Sequence, residues 1–338
     1  MDRATRSGFP VVLDRRLLSR LMGLDDYLAA AEAAFLAHAH GRTRMPMPLH
    51  IEVEQGGFHA KGAFVALDRT WVAVKVNSNF PGNPAKGLPT IQGAVLLYDA
   101  DDGRLVAILD SMEITSKRTA AASALAARHL AREDSDTLAV IGCGEQGRAQ
   151  LAAIARVRRL RRVLAWDAQP GRAAEYAAAM GRALGIDVNA APSVQAAVHS
   201  ADIVITATTA QQAFLGRDDV RAGSFVAAVG ADNPRKSELH TDLVASSKVV
   251  ADSLDQACLM GDLHHAIAAG AATRDSAHAE LAEVVSGRKP GRTSETEIII
   301  FDSTGLAIQD VAAAAAAYAR FVSADTSFHE PEDRGNQG

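Results

Sequence analysis

Three glycines form the most specific short motif in the sequence. Gly142, Gly144 and Gly147 have G-x-G-x-x-G spacing in VIGCGEQG, directly after the apolar run TLAVIG and directly before the helix-like segment GRAQLAAIARV. In this motif the first glycine permits a tight turn, the second lets the backbone approach a pyrophosphate, and the third allows close packing of the helix. The N-terminus of the helix supplies a positive potential. The motif predicts a dinucleotide site, which also takes in Glu145 and Gln146.

An acidic residue follows at the expected distance. Asp167 ends the next apolar run, RVLAWD, at the place where a carboxylate binds the ribose 2′-hydroxyl in such sites. Because a carboxylate repels a 2′-phosphate, NAD is favoured over NADP as the cofactor. The basic run RVRRLRR argues the other way, but most of it precedes the strand, where a solvated surface is the simpler interpretation.

Two lysines raise a separate question. Lys61 and Lys75 each occur in an apolar, strand-like run within GGFHAKGAFVALDRTWVAVKVN. Half-buried strands alternate apolar and polar residues, so both lysines could face solvent. Both could equally point at one anionic ligand, and the two runs by themselves leave these alternatives open.

The elements that must position these residues show two different sequence patterns. From Thr137 onward, six near-continuous apolar runs alternate with helical patterns, which is typical of parallel strands buried on both faces and predicts a Rossmann-type doubly wound α/β domain. The six runs are TLAVIG, RVLAWD, ADIVITAT, SFVAAVGA, KVVADS and EIIIFDS. Between Pro46 and Met112, shorter runs separated by turn signals predict a mostly antiparallel sheet.

Three helices outside the doubly wound region complete the prediction. DDYLAAAEAAFLAHAHG has an acidic first turn and a glycine stop, and ITSKRTAAASALAARHLA is rich in alanine, with Thr115 as its predicted N-cap. The last helix, from Gly305 to about Val322, is expected to return and pack on the first domain.

Composition narrows the class of function. The formal net charge of −5 over 338 residues, without long blocks of one sign, gives no reason to expect nucleic acid or a membrane as a partner. No stretch has the length and apolar character of a membrane span or a signal peptide. Two cysteines, Cys143 and Cys258, make no disulfide framework and suit a reducing compartment, so the expected location is the cytoplasm. Small-molecule chemistry is the leading class.

Several further blocks identify a resemblance. RTRMPMP, AVKVNSNFPGNP, ITSKRTAAASALAARHLA, VIGCGEQG, VGADNPRKSEL and FDSTGLAIQD occur in the order found in the ornithine cyclodeaminase/mu-crystallin family, which the chain resembles along nearly its whole length. The resemblance implies a discontinuous α+β substrate-binding and dimerisation domain, residues 1–130 plus 306–338. A nicotinamide-binding Rossmann domain, residues 131–305, would be inserted in it, and the chain would form a homodimer.

The resemblance also implies roles for individual residues. Arg44, Lys75 and Arg118 match the family residues that bind the substrate α-carboxylate, and Lys75 also matches a catalytic residue. A guanidinium binds a carboxylate bidentately, and an ammonium adds a point charge. Asp232 matches the catalytic carboxylate, although it could simply cap the following turn. Further cofactor contacts are expected at Thr206, Ala207, Thr208, Val229, Gly230, Ser303, Thr304 and Gly305.

Lys61 departs from the family pattern. In ornithine cyclodeaminases the corresponding strand position looks to be a glutamate, which can accept a cationic amino group, whereas a lysine repels one. The hypothesis is therefore a substrate whose distal end is neutral or anionic. The predicted function is NAD(H)-dependent reduction of a 2-imino acid, reversible as amino-acid dehydrogenation. A cyclodeaminase that releases ammonia from ornithine or lysine with catalytic NAD, and a mu-crystallin-like NAD(P)H-dependent binding protein, are the alternatives.

No metal site is predicted. Asp262, His264 and His265 lie close together in MGDLHHAIAAG, but adjacent histidines point to different sides of a helix, and no second cluster has the spacing of metal ligands. The start of a helix is the preferred interpretation of this segment.

Overall fold

The computed structural model describes residues 9–327, and two β-sheets organise them. The first sheet is built from seven strands: β1 (Val11–Leu13), β2 (Thr43–Arg44), β3 (Leu49–Val53), β4 (Gly56–Ala66), β5 (Thr70–Asn79), β6 (Ile91–Asp99) and β7 (Leu105–Asp110). Their order is β1-β7-β6-β5-β4-β2, with β3 on the other part of β4. All neighbours are antiparallel except β1 and β7, as the turn-separated runs predict.

The second sheet contains eight parallel strands. They are β8 (Thr137–Ile141), β9 (Arg162–Trp166), β10 (Asp187–Ala190), β11 (Ile203–Thr206), β12 (Phe225–Ala228), β13 (Lys248–Ala251), β14 (Ala279–Glu280) and β15 (Ile299–Asp302), in the order β10-β9-β8-β11-β12-β15-β13-β14. The central strands are buried along their whole length, because helices cover both faces. The predicted fold class is confirmed.

Eleven α-helices accompany the sheets within residues 9–327. They are α1 (Arg15–Leu21), α2 (Leu24–Ala39), α3 (Ser111–Leu130), α4 (Glu145–Ile154), α5 (Arg172–Leu184), α6 (Val194–Val198), α7 (Thr241–Ala245), α8 (Leu254–Ala257), α9 (Asp262–Ala268), α10 (Leu281–Val285) and α11 (Ala307–Ser327). None of these helices is long and apolar enough to cross a membrane. Residues 1–8 and 328–338, which belong to the predicted first domain, lie outside the described residues.

Two alanine-rich helices cover the first sheet, and one of them, α3, also contacts β12 and β15 of the second sheet. α11 packs against α2 and against strands β4 and β5, and α3 packs against α2 on one side and α4 on the other. Most alanines of α3 and α11 are fully buried. Small side chains let the axes of neighbouring helices approach closely, so the buried alanines of α3 and α11 permit close helix packing.

The start of α3 differs from the prediction. Thr115 was expected to be the N-cap, but the helix begins four residues earlier, at Ser111. Asp110 is the cap, and its side chain accepts the backbone N–H of Glu113 at 2.8 Å. A carboxylate at the end of β7 therefore starts the helix directly, and Thr115 is left inside it with its hydroxyl free for another contact.

Candidate active site

The glycine loop forms a cradle that fits a pyrophosphate. A Cβ at Gly142, where φ is +100°, would lie 2.5 Å from Ala207 O, and one at Gly147 would lie 2.1 Å from Gly142 O. Gly144 instead borders open space, with nothing within 4 Å of an added Cβ. It is the N-cap of α4 and contributes no side-chain hydrogen bond, so the first N–H groups of the helix stay available. The loop has the shape that a dinucleotide needs.

Asp167 lies at the end of β9, beside this loop. Its carboxylate accepts the backbone N–H of Cys143 and that of Gln169, both at 2.8 Å, and Arg172 Nη1 is 3.9 Å away. The predicted ribose-binding acid is thus fixed against the glycine loop by the backbone itself. Asp167 therefore lies next to the glycine loop, as its spacing in the sequence predicts.

The predicted cofactor residues at the ends of β11 and β12 converge on an acid that the sequence analysis missed. Glu238 accepts hydrogen bonds from the Thr206 hydroxyl at 2.6 Å, from the Thr208 N–H and hydroxyl at 2.7 Å each, and from Gly230 N–H at 2.9 Å. Ala207 and Val229 lie within the same two loops. The threonine hydroxyls therefore shape the loops through Glu238. A Cβ at Gly230 would lie 2.3 Å from Glu238 Oε1.

Glu238 belongs to a group of four buried carboxyls, the acid cluster, that consists of Glu238, Asp252, Asp262 and Asp302. Asp262 accepts the N–H groups of Glu238 and Leu239 at 2.8 and 2.9 Å, and Asp302 accepts that of Leu263 at 2.9 Å. Burial raises the pKa of all four, and the negative neighbour Asp262 adds to the effect at Glu238 and Asp302. The pKa of Glu238 reaches about 7 and that of Asp262 about 6.

Asp252 ties the acid cluster to the segment before the last helix. It accepts Gly305 N–H at 2.6 Å and the Thr304 hydroxyl at 2.9 Å, and the Ser303 hydroxyl lies 3.4 Å away. Ser303, Thr304 and Gly305 were predicted to contact the nicotinamide. The structure places all three at the carboxyl end of β15, on the same side of the sheet as the glycine loop.

Lys61 and Lys75, whose orientation the sequence leaves open, face the same side of the first sheet. Lys61 and Lys75 are directly opposite each other in the β4–β5 register, so their side chains leave the same face of the sheet. Lys75 is only 4% exposed, and Lys61 is half-buried and donates to the carbonyl oxygen of Gly305 at 2.7 Å. The solvent-facing alternative does not hold for either of them.

Arg118 joins these lysines to form the cation cluster, Lys61, Lys75 and Arg118. One acid, Asp310 in the first turn of α11, lies between the two most buried members: its carboxylate is 2.8 Å from Lys75 Nζ and 2.9 Å from Arg118 Nε. Although burial by itself raises the pKa of Asp310, the three cations lower it to about 2. The cluster is therefore a site with more positive than negative charge, built from β4, β5, α3 and α11.

Two predicted residues lie outside this buried arrangement. Arg44 is exposed on the edge strand β2, opposite Phe64 of β4. Asp232 follows β12, has a side chain that is 55% exposed, and is bound by Lys236 Nζ at 2.7 Å. Burial and the charge of Arg118 lower the pKa of Lys61, whereas Asp310, Asp252 and Asp232 raise it. Asp232 thus acts electrostatically on Lys61 of the cation cluster.

The histidine pair has structural contacts. His264 Nδ1 lies 3.1 Å from the carbonyl oxygen of Cys258, and His265 Nε2 lies 2.8 Å from that of Lys236. Both belong to α9, whose start the sequence predicted. Among residues 9–327, no group of His, Cys, Asp or Glu side chains has the arrangement of a metal site.

Comparison with known proteins gives the family. A sequence model of the ornithine cyclodeaminase/mu-crystallin family matches residues 10–325. The chain belongs to this family. Proteins similar to this chain have different activities. An archaeal alanine dehydrogenase, solved as a dimer with bound NAD, is 35% identical with a TM-score of 0.89, covering 94% of this chain and 97% of that one.

Two further structures represent other reactions in the family. The iminosuccinate reductase of Paracoccus denitrificans, solved with NAD+, is 30% identical with a TM-score of 0.87, covering 94% of this chain and 97% of that one. A lysine cyclodeaminase that recognises L-lysine, L-ornithine and L-2,4-diaminobutyric acid is 30% identical with a TM-score of 0.80, covering 94% and 93%. Because these relatives have different activities, membership of the family does not decide which reaction this chain catalyses. That conclusion has to come from the residues of the site.

Proposed function

We propose that the protein is an NAD(H)-dependent reductase of a 2-imino acid that also runs in reverse as an amino-acid dehydrogenase. The observation that carries this proposal is the cation cluster, which has three cations and one close carboxylate and touches Gly305 of the expected nicotinamide segment. A site of this kind suits a small carboxylate held next to the cofactor. The related alanine dehydrogenase and iminosuccinate reductase structures, both with NAD bound, support it.

The cofactor proposed is NAD, held by the glycine cradle of Gly142, Gly144 and Gly147. When bound, a reduced nicotinamide supplies a hydride and an oxidised one accepts it. Asp167 disfavours a 2′-phosphate, so the preference for NAD over NADP follows from its charge beside the loop. The loops that end at Thr208 and Gly230 keep their shape because Glu238 binds both of them.

The residues of this chain divide the remaining work. Lys75 and Arg118 bind and orient the substrate α-carboxylate, and Arg44 is proposed to reach the same group from the edge strand. Asp232 is proposed to donate a proton to the substrate nitrogen or to take one from it. Its exposure at the mouth of the site permits proton exchange with solvent. Fixed positions and a preorganised positive pocket then supply most of the rate acceleration.

Lys61 is proposed to select the distal end of the substrate. Like charges directly opposite each other in a sheet are destabilising, so the Lys61–Lys75 pair gains from an anion between the two side chains. A half-buried lysine next to the site repels the distal amino group of ornithine or lysine. A 2-imino dicarboxylate or a neutral 2-imino acid fits better than a diamino acid.

A second copy of the chain is the proposed partner. An apolar stripe of large exposed side chains covers the face of the first sheet opposite the cation cluster: Leu49, Ile51, Val53, Phe58 and Val76. Contiguous apolar surface of this kind marks an interaction site. The related alanine dehydrogenase is a dimer, which supports the same assembly here. The two free thiols, Cys143 and Cys258, suit the cytoplasm as its location.

The deciding experiment follows nicotinamide absorbance with the purified protein. NADH or NADPH is mixed with a panel of 2-oxo acids and with ammonia or methylamine, and a parallel reaction measures ammonia release from ornithine and lysine with NAD. The proposal expects NADH oxidation, greatest with dicarboxylates such as oxaloacetate. Ammonia release without net cofactor change would identify a cyclodeaminase instead. Tight NADH binding without turnover of any of these compounds would favour a binding protein.

A further inference from the structure

Asp310 is the buried acid that joins Lys75 to Arg118. It is only 2% exposed, and its carboxylate lies within 2.9 Å of both Lys75 Nζ and Arg118 Nε. The three residues come from β5, α3 and α11, and 235 and 192 positions separate Asp310 from Lys75 and Arg118. The contact exists because the final helix returns to the first sheet.

Both cations keep hydrogen-bond donors that Asp310 does not use. Arg118 places Nε on Asp310 and Nη1 on Gln309 Oε1 at 2.7 Å, and within residues 9–327 its Nη2 makes no hydrogen bond. Lys75 donates to Asp310 and to the Thr115 hydroxyl at 3.1 Å, which leaves one of its three N–H groups. Both cations therefore keep donors that a second carboxylate could use while Asp310 stays in place.

The net charge of the cation cluster also favours binding of a second carboxylate. Asp310 faces three cations at once, and its low pKa reflects all three of them. Asp252 is the next acid that acts on Lys61, but its oxygens already accept the Gly305 N–H and the Thr304 hydroxyl. One carboxylate in contact with the cluster does not neutralise it, so the cluster attracts an anion after Asp310 is counted.

We propose that Asp310 is a positioning residue for the substrate: it fixes Lys75 and Arg118 in place so that their unused N–H groups hold the α-carboxylate of the 2-imino acid. The inference rests on the proposed function and adds a residue to it. Two other roles would be distinct. Asp310 could occupy the cations in competition with the substrate, or it could serve the fold alone.

The pH dependence separates these roles. Burial, together with the charges of Arg118 and Lys61, holds the pKa of Lys75 well below its usual value, although the negative charge of Asp310 raises it. These are the charged groups that face Lys75 from β4, α3 and α11. Without the negative charge of Asp310, Lys75 loses its proton at a lower pH, and the grip on the carboxylate fails there. A residue that serves only the fold would not move the pH profile in this way.

The test uses Asp310→Asn, which keeps the shape of the side chain and removes its charge. The matched control is Asp202→Asn, because Asp202 is also a buried partner of an arginine, 2.6 Å from Arg132, but lies away from the site. For each protein, NADH binding is measured by fluorescence, kcat and KM are measured across pH, and stabilisation by pyruvate in the presence of NADH is measured by thermal unfolding.

For Asp310→Asn we expect KM for the substrate to rise at least tenfold, the alkaline limit of kcat/KM to move down by about one pH unit or more, and NADH affinity to stay within twofold. Asp202→Asn should lower the unfolding temperature but change neither KM nor the pH profile. An unchanged profile in Asp310→Asn, or a lower KM, would overturn the positioning role.

The pyruvate measurement keeps this inference separate from the proposed function. If the wild-type protein is stabilised by pyruvate but reduces nothing, the reductase proposal fails, and loss of that stabilisation in Asp310→Asn still supports the positioning role. If the wild type reduces oxo acids and Asp310→Asn binds pyruvate equally well, the positioning role fails alone. A wild-type protein that binds NADH but no carboxylate would overturn both.

Discussion

The cation cluster and the acid cluster both bury ionisable side chains at the site, but they do so by different means. Lys75 and Arg118 have a carboxylate in direct contact, that of Asp310. In the described part of the chain, Glu238 and Asp262 have no cation in contact and are held by backbone N–H and hydroxyl groups. Oxygens of Asp262 and Asp302 lie buried without a hydrogen-bond partner within residues 9–327.

The difference gives the two clusters opposite dependences on pH. The pKa of Asp310 is lowered in the folded protein, so its stabilising contribution is present above about pH 4 and is lost as the pH falls toward 2. The pKa values of Glu238 and Asp262 are raised to about 7 and 6, so their contribution is present at low pH and is lost as the pH rises through those values. A carboxyl that must stay charged needs a cation, whereas one that serves as a scaffold can stay protonated.

The largest effect is expected when the cation cluster loses a member. Lys75→Met should lower kcat/KM about 1000-fold, because truncating one partner of a buried charge pair costs about 4 kcal/mol and also removes a carboxylate ligand. Lys117→Met, a lysine next to Arg118 in the chain, is the control and should stay within about threefold of wild type. Steady-state kinetics measure kcat/KM, and NADH binding by each variant should be unchanged. A loss below tenfold for Lys75→Met would place the carboxylate elsewhere.

A change of substrate preference is expected next, at Lys61. Lys61→Glu should lower the ratio of kcat/KM for oxaloacetate to that for pyruvate about 100-fold, since attraction for the distal carboxylate becomes repulsion. Lys61→Gln retains a donor for the Gly305 carbonyl without the charge and should give an intermediate ratio, about tenfold below wild type. If the substrate profile of Lys61→Glu matches that of the wild type, the selecting role of Lys61 is wrong.

A smaller effect is expected in the acid cluster, on stability rather than on substrate binding. The free energy of unfolding of the wild type should fall by on the order of 2 kcal/mol between pH 5 and pH 8, as Glu238 loses the proton that burial retains. Glu238→Gln, which resembles the protonated acid, should flatten this dependence. Chemical denaturation at several pH values measures it. If the free energy of unfolding of Glu238→Gln falls equally steeply with pH, a group other than Glu238 loses the proton.

The smallest effect is expected at the exposed pair that belongs to neither cluster. Lys236→Met removes the partner of Asp232, and exposed ion pairs contribute about 0.5 kcal/mol or less. Denaturation at pH 7 should therefore be almost unchanged. A loss above about 2 kcal/mol would show that this pair, rather than packing, holds the loop that follows β12.

The sequence predicts some parts of this site well because their signals are local. The glycine loop and Asp167 lie within one strand-loop-helix-strand segment, so their spacing alone placed them together. The common orientation of Lys61 and Lys75 could not be read in that way, because it depends on the register of β4 against β5. The helix start at Asp110 was missed because Thr115 offered a second plausible cap.

The sequence did not predict the buried acids that contact the site residues. Asp310 and Glu238 lie inside the blocks FDSTGLAIQD and VGADNPRKSEL, but their partners are distant in the chain, up to 235 positions away, so the blocks alone do not show what these acids contact. A weak signal existed: Gln309 and Asp310 are adjacent polar residues in a helix that is otherwise alanine-rich, and both are buried. Polar residues in such a place need partners, but only the fold shows which partners they have.

Gly305 illustrates how much of this arrangement depends on an absent side chain. Its N–H binds Asp252, its carbonyl binds Lys61, and a Cβ would lie 2.8 Å from Arg118 Nη1, at a φ of +81°. The same position is therefore constrained through its backbone by Asp252 and Lys61 and sterically by Arg118. In a library of all single substitutions selected for activity, position 305 should retain glycine alone, while its neighbour Leu306 should tolerate other aliphatic residues.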